Sequence, residues 1–332
     1  MKEQSSTEER PVVRIIAGVA GRSLAMMVGM AIGTVDALTA RRAQHNRRPA
    51  PALQPVVVGV SGGALAATAI ALNMTRERAR GIAIDHPEHE VLGARSLRSL
   101  MTRRALYPQA RIRELAHAFA GDRTFADFAL GPPGRELPQA TSSLLIPVYA
   151  AGHGTLLLPR DLPKLGLADL PVADAIVAAT RIPGALPAAA GLDGVFDGGC
   201  QYRVPHDIFS PHPALILDLY GPQPYDSRGG LIFPLLHPSL PAIAHRPRPF
   251  QDQALRDSTI FAHQPYGAAL NAPARTSDEL FDTGYDIAAT WIRTRTEEQL
   301  LNVVDAHVLG LPEKGPAADR HEQAGGLSRA AG

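Results

Sequence analysis

The chain has one cysteine, Cys200, so it can form no internal disulfide, and a cysteine-built zinc site is excluded. Nothing in that usage calls for an oxidising compartment. An excess of charge of either sign is also missing: 33 Lys and Arg face 32 Asp and Glu, leaving +1. Phosphate backbones are gripped by concentrated basic surface, so this balance argues against nucleic acid as the main partner. Arg41, Arg42, Arg47 and Arg48 are scattered along a connecting stretch and do not form a block. No unit of roughly 20 to 50 residues repeats, which argues against a solenoid. A long uninterrupted apolar run is lacking too. The best stretch, Ser23 to Leu38, contains Asp36 and falls short of the ~20 residues that a spanning helix needs. Its Gly29 and Gly33 suit close helix packing, so a buried core helix is expected. The segment Met1 to Arg10 is polar and carries more acid than base, unlike a secretory n-region. These absences point to a cytoplasmic protein, with peripheral contact to a membrane left open.

What is present fits a filled core: 45% of residues are hydrophobic and 20% charged, and one large α/β domain can absorb the length. Val12 to Ile16 reads as a strand, Gly18 to Gly21 as its following loop, and Arg22 to Arg42 as a buried helix. Arg47 to Pro55 holds three prolines and reads as a connector. Val56-Val57-Val58 is a compact strand, and Ala64 to Met74 is an apolar helix. Strand, helix, strand, helix favours a parallel sheet with right-handed crossovers. Amphipathic helices follow between His89 and Phe128, including one at Pro108 to Ala120. A hairpin joins Leu144–Tyr149 to Thr155–Leu158. Val172 to Arg181 is helical up to Pro183, Ala214 to Tyr220 is a strand, and Ser277–Arg293 and Thr296–Val308 are helices. The expected organisation is a polar leader over 1–10, one domain over 11–310 and a disordered tail over 311–332.

Ser61 lies in Gly59-Val60-Ser61-Gly62-Gly63, between a strand and a helix. A serine there sits on a tight, strained turn with its Oγ above the sheet edge, and small neighbours are needed because helix and strand crowd the turn. The helix N-terminus adds unpaired N–H groups and a positive dipole end. Such a serine needs a base. The chain has 12 histidines, so a Ser-Asp-His triad has to be weighed. In an α/β-hydrolase, however, several strands precede the nucleophile elbow. Here a single strand lies upstream, and its loop has no His-Gly motif. The other candidate base is Asp197, in Val195-Phe196-Asp197-Gly198-Gly199, where two glycines let another backbone approach closely. By itself an Asp-Gly pair is also an ordinary turn signal.

Together these residues resemble the patatin-like phospholipase family, which pairs a Gly-x-Ser-x-Gly serine with an Asp-Gly-Gly or Asp-Gly-Ala aspartate and uses no histidine. Gly59 to Leu65 looks like the family's elbow. Ala178 to Pro187 is similar to the small-residue and Pro-rich stretch before its aspartate. Arg113-Glu114-Leu115 and Thr124 to Phe128 resemble the region between them. The resemblance spans about Val12 to Val308 and implies a three-layer α/β/α fold with a mostly parallel central sheet. It also implies a Gly-rich oxyanion loop after the first strand. Gly18-Val19-Ala20-Gly21-Arg22-Ser23 occupies that place, with Gly18 and Arg22 matching. Val19 and Ala20 stand where the family has glycines, and Ser23 replaces the last one. A β-branched residue at positive φ is strained, so a cost is expected at Val19.

The resemblance implies that Asp197 takes the Ser61 proton, Oγ attacks an acyl carbonyl, and water releases the acid from an acyl-enzyme. Gly18, Gly21, Arg22 and Gly62 would hold the oxyanion or substrate. Gly59, Gly63, Gly198 and Gly199 shape the two motifs. No metal or organic cofactor is required, and the partner is a lipid or other acyl ester. Leu231 to Leu236 reads as an apolar loop packed over the core, with a lip at the site mouth or a membrane contact as the alternative. His206 and His212 are expected to be structural or surface residues and not ligands, and Cys200 a small buried side chain. Two other functions fit the residues. One is a catalytically silent lipid-binding or interaction protein on the same fold. The other is a phosphate- or nucleotide-binding module built on Gly18 to Ser23, although it lacks the Lys-Ser/Thr ending of a P-loop and leaves the Asp197 motif unexplained.

Overall fold

The computed structural model describes residues 10–21, 23–45, 52–103, 105–130, 142–200, 203–220, 253–262 and 275–311. Arg22, the apolar Leu231–Leu236 stretch and the tail after 311 lie outside them.

The first strand, β1 (Val12–Ala17), is buried along its whole length, and its side chains divide between the two sheet faces. Val13, Ile15 and Ala17 join the larger core, while Val12 and Ile16 join a smaller one. That division is the period of two that a pleated strand imposes. β2 (Gln54–Gly59) lies parallel beside β1, from Val12 opposite Gln54 to Ala17 opposite Gly59. β3 (Leu144–Ala150) and β4 (Gly154–Leu158) form the expected antiparallel hairpin. β5 (Val195–Asp197), β6 (Leu215–Asp218) and β7 (Thr259–Phe261) complete a seven-stranded sheet in the order β4-β3-β2-β1-β6-β7, with β5 also on β3. β3, β2, β1, β6 and β7 run parallel, and only β4 and β5 oppose them.

Two of these strands differ from the sequence reading. β7 was not foreseen, because three residues at a sheet edge carry no periodic signal. β2 also begins earlier than the valine run and includes Pro55. Val57 donates its N–H to Ser143 of the β3 side, so Pro55, two residues back, turns its hydrogen-less nitrogen to that same side. The β3 ladder is first joined at Val57, so no ladder bond is lost at Pro55.

The larger core lies between the sheet and a layer of helices. α1 (Leu24–His45) and α2 (Gly63–Ala71) are its centre. α3 (Arg76–Asp85), α4 (Glu88–Val91), α5 (Leu97–Arg103), α6 (Ala110–Ala120) and α7 (Val172–Ala179) follow in chain order. After α8 (Gln253–Asp257), α9 (Ser277–Thr294) returns to lie against α1, and α10 (Glu297–Leu301) follows it. The contact between α1 and α9 is made by backbone. A Cβ on Gly33 would stand 2.5 Å from the Tyr285 carbonyl, and Cβ atoms on Gly29 and Gly284 would overlap Phe281 O and Met26 O. Among the described residues α1 is the one helix long and apolar enough to cross a membrane, but two-thirds of its apolar window (67%) is buried inside the protein. On the opposite face Val56, Val58, Leu145 and Ile216 are covered by Val204, Phe209 and Leu255. The chain thus has an α/β architecture with a mixed, mostly parallel sheet and helices around it.

Candidate active site

β2 ends at Gly59 and α2 starts at Gly63, so Ser61 occupies the tightest point of the connection. Its φ is +54°, and the only other non-glycine residue with positive φ among those described is Asn73, just beyond α2. A side chain held in the left-handed region costs of order 1–3 kcal/mol and persists only where the surroundings impose it. The neighbours here do so. A Cβ on Gly59 would lie 2.5 Å from Ala64 Cα and 2.6 Å from Ala67 Cβ. One on Gly63 would lie 2.5 Å from Ala17 O and would overlap the Gly18 carbonyl. Glycine at both places lets the elbow press against α2 on one side and β1 on the other.

Asp197 reaches the same point by another route. β4 pairs with residues 146–150 of β3, so β5, which pairs with 148–150, must use the opposite edge. β2 uses that edge first, at Leu144 and Leu145. β5 therefore continues along the track that β2 leaves, and Asp197 opposes Val148. Extending the Val57–Leu144 register by four residues places Ser61 at that same level. The two side chains meet there: the Ser61 hydroxyl donates a hydrogen bond to the Asp197 carboxylate. Ser61 is 4% exposed and Asp197 3%. The Gly199 N–H donates to Asp197 Oδ1 at 2.7 Å. Gly198 is pressed against β3, where a Cβ would come within 2.5 Å of the Pro147 carbonyl. Burial raises the Asp197 carboxyl to about 7, and the hydrogen bonds from Ser61 and Gly199 only partly counter it. No histidine partners Ser61 among the described residues.

The stretch before Asp197 holds it in place. The Arg181 carbonyl accepts the Asp197 N–H at 3.0 Å. The Arg181 guanidinium donates to the carbonyls of Val195 at 2.8 Å and Asp193, and lies 4.3 Å over the Phe196 ring. Burial lowers the Arg181 pKa, although Asp193 opposes the shift. Nothing in the sequence singled out Arg181 for this, since its acceptors are backbone groups. Cys200 is buried, and its thiol is pushed well up by burial and by the Asp197 charge, so it stays protonated.

The Gly18–Gly21 loop packs on both motifs. A Cβ on Gly199 would sit 2.7 Å from Val19 Cγ2, and one on Gly62 would sit 3.0 Å from Ala20 Cβ. The expected strain at Val19 does not arise. Neither Val19 nor Ala20 has positive φ, and the one left-handed residue of this loop is Gly21, at +56°. The two replaced glycines therefore stand where the backbone does not need glycine. The Gly18 N–H is taken by Leu217 O at 3.0 Å, so it is not available to an oxyanion. Among the described residues the N–H groups of Val19, Ala20, Gly21 and Gly62 have no partner.

A family model described as Patatin-like phospholipase matches residues 30–210, more than half of the chain. The chain belongs to the patatin-like phospholipase family. The family is one of lipid acyl hydrolases, and the match covers both the Ser61 and the Asp197 motifs. No curated protein matches the chain. The match is narrower than the Val12–Val308 span of the resemblance. Outside it, β1, β6 and β7 lie in the same sheet as the matched β2, β3, β4 and β5.

Proposed function

We propose that this protein is a serine acyl-ester hydrolase acting on lipid esters through a Ser61–Asp197 dyad. The observation that carries this reading is the Ser61 hydroxyl hydrogen-bonded to a buried carboxylate poised at about 7. A carboxylate of ordinary acidity is a weak base toward an alcohol. One raised close to neutrality takes the proton more readily while still being half ionised at physiological pH. Asp197 accepts the Ser61 proton as Oγ attacks the acyl carbonyl, then returns it to the departing alcohol. In the second half, Asp197 takes a proton from the water that attacks the acyl-Ser61 ester, then gives it to Ser61 Oγ as the C–Oγ bond breaks and the acid is freed. Negative charge on the carbonyl oxygen is received by N–H groups of Gly62 and the Val19–Gly21 loop, with the α2 N-terminus behind them. The low exposure of both side chains favours the reaction, since water is kept from competing for these hydrogen bonds.

Ser61→Ala should abolish hydrolysis of short p-nitrophenyl esters and of vesicle phospholipid, while the circular dichroism spectrum stays that of the parent. Turnover by this variant at the parent rate would remove Ser61 from the mechanism.

A further inference from the structure

Among the described residues the Val19–Gly21 loop carries three unpartnered N–H groups, but two of its residues are not the glycines of the resemblance. Something other than glycine must therefore fix its shape. Gly18 is anchored by its N–H to Leu217 O. Val19 is wedged against Gly199. The third restraint comes from 200 residues away. The Tyr220 hydroxyl donates to the Ala20 carbonyl at 2.7 Å, within the protein interior, since Tyr220 is 1% exposed.

That bond controls more than a carbonyl. The peptide unit is planar and trans, so the Ala20 C=O and the Gly21 N–H point in opposite directions from one rigid plane. Gly21, at φ +56°, is the residue whose freedom would let this plane turn over at little cost. A hydroxyl fixed on the Ala20 oxygen holds the Gly21 N–H on the opposite side. Tyr220 is itself braced. Its N–H donates to Asp218 Oδ1 at 3.1 Å, and the fully buried Asp218 accepts from Arg203 at 2.6 and 2.9 Å. The Arg203 guanidinium lies 5.1 Å from the centre of the Tyr220 ring. Arg203 follows closely on the Asp197 motif, so the brace joins the loop to the strand end that carries the base.

We propose that Tyr220 is a positioning residue for acyl transfer: its hydroxyl sets the Ala20–Gly21 peptide plane and so aims the Gly21 N–H as an oxyanion donor. This rests on the esterase reading of Ser61 and Asp197. Tyr220→Phe leaves the ring in place, and the Ala20 carbonyl has a second bond from the Ser23 N–H at 3.0 Å, so the variant is expected to fold.

The test compares Tyr220→Phe with the parent in the full chain, using a p-nitrophenyl ester and an alkyl trifluoromethyl ketone as transition-state analogue. The expected result is a fall in kcat of roughly 10- to 100-fold, below the loss from deleting an oxyanion donor outright. KM should change less than about twofold, and analogue affinity should fall by the same factor as kcat/KM. Gly21→Ala, which disfavours the present φ from the other side of the plane, should lower analogue affinity too. Should Tyr220→Phe not fold, this variant gives the deciding measurement. Unchanged kcat and analogue affinity in Tyr220→Phe overturn the proposal, as does a loss of melting temperature alone. An inactive parent whose Ser61 takes no fluorophosphonate means instead that the esterase reading has failed.

Discussion

The role proposed for Asp197 and its burial pull its protonation in opposite directions. As a base it must be ionised, yet burial favours its neutral form. Its folded carboxyl titrates at about 7, against roughly 3.9 for an unfolded aspartate. Between those values the folded state holds a proton that the unfolded state has released, so stability falls as pH rises from about 4 to 7. Below pH 4 the difference vanishes, and above 7 the full penalty stands. Asp197→Asn should therefore be more stable than the parent at pH 8, by a few kcal/mol at most, and the gap should close toward pH 4. Urea unfolding at the two pH values measures this. The same variant should lose about 10²- to 10⁴-fold in kcat. At Ser61 the stored cost is conformational: Ser61→Gly relieves the positive φ, whereas Ser61→Ala keeps it. The glycine variant should be at least as stable as the alanine one, although glycine is ordinarily the less stable of the two. Denaturation midpoints compare them directly. The Ser61 turn was legible in the sequence because strand, elbow and helix are contiguous. The engagement of the Gly18 N–H by Leu217 was not, since nothing local to Gly18 names its acceptor.

At the scale of elements, glycine separates contact from open space. Gly33→Val in α1 would drive a side chain into the Tyr285 backbone of α9 and should destabilise by about 1–3 kcal/mol. Gly81 in α3 has nothing within 4 Å of its Cβ position, so Gly81→Ala should stabilise by roughly 0.5–1 kcal/mol. Opposite shifts of the guanidinium midpoint are the check, and two shifts of the same sign would refute the packing account. The long elements were readable in advance: α1, α2, α6, α9 and the β3–β4 hairpin follow from hydrophobic period and turn residues. Short β5 was readable as an apolar approach to Asp197, but its place on the β3 edge vacated by β2 was not. Register across a sheet depends on partners, and partners lie far off in sequence. The extension of β2 through Pro55 was hidden for the same reason, because only the position of β3 makes that proline harmless.

Across the whole molecule the proposed site draws on four distant segments: the β1 loop, the elbow, the β5 end and Tyr220 beyond β6. The family match, at 30–210, contains two of them. A chain cut to 30–210 lacks β1, β6 and β7, so β2 loses its ladder on the β1 side and keeps only β3 beside it. A fragment limited to 30–210 should therefore fail to fold cooperatively, which near-UV circular dichroism would reveal, despite holding both Ser61 and Asp197. Fold class was accessible from the strand–helix order, and the two motifs that meet at Ser61 and Asp197 from the sequence itself. How the Gly18–Gly21 loop holds its shape with Val19 and Ala20 in it was not, because its restraints come from across the sheet. The central claim is that Ser61 is a nucleophile activated by Asp197, and the rate of its phosphonylation as pH varies tests it most directly. Peptide mapping after treatment with a fluorophosphonate should place the adduct on Ser61, forming faster as pH rises through about 7 and levelling above it. An adduct on another residue, or a Ser61 rate flat from pH 5 to 9, would contradict it.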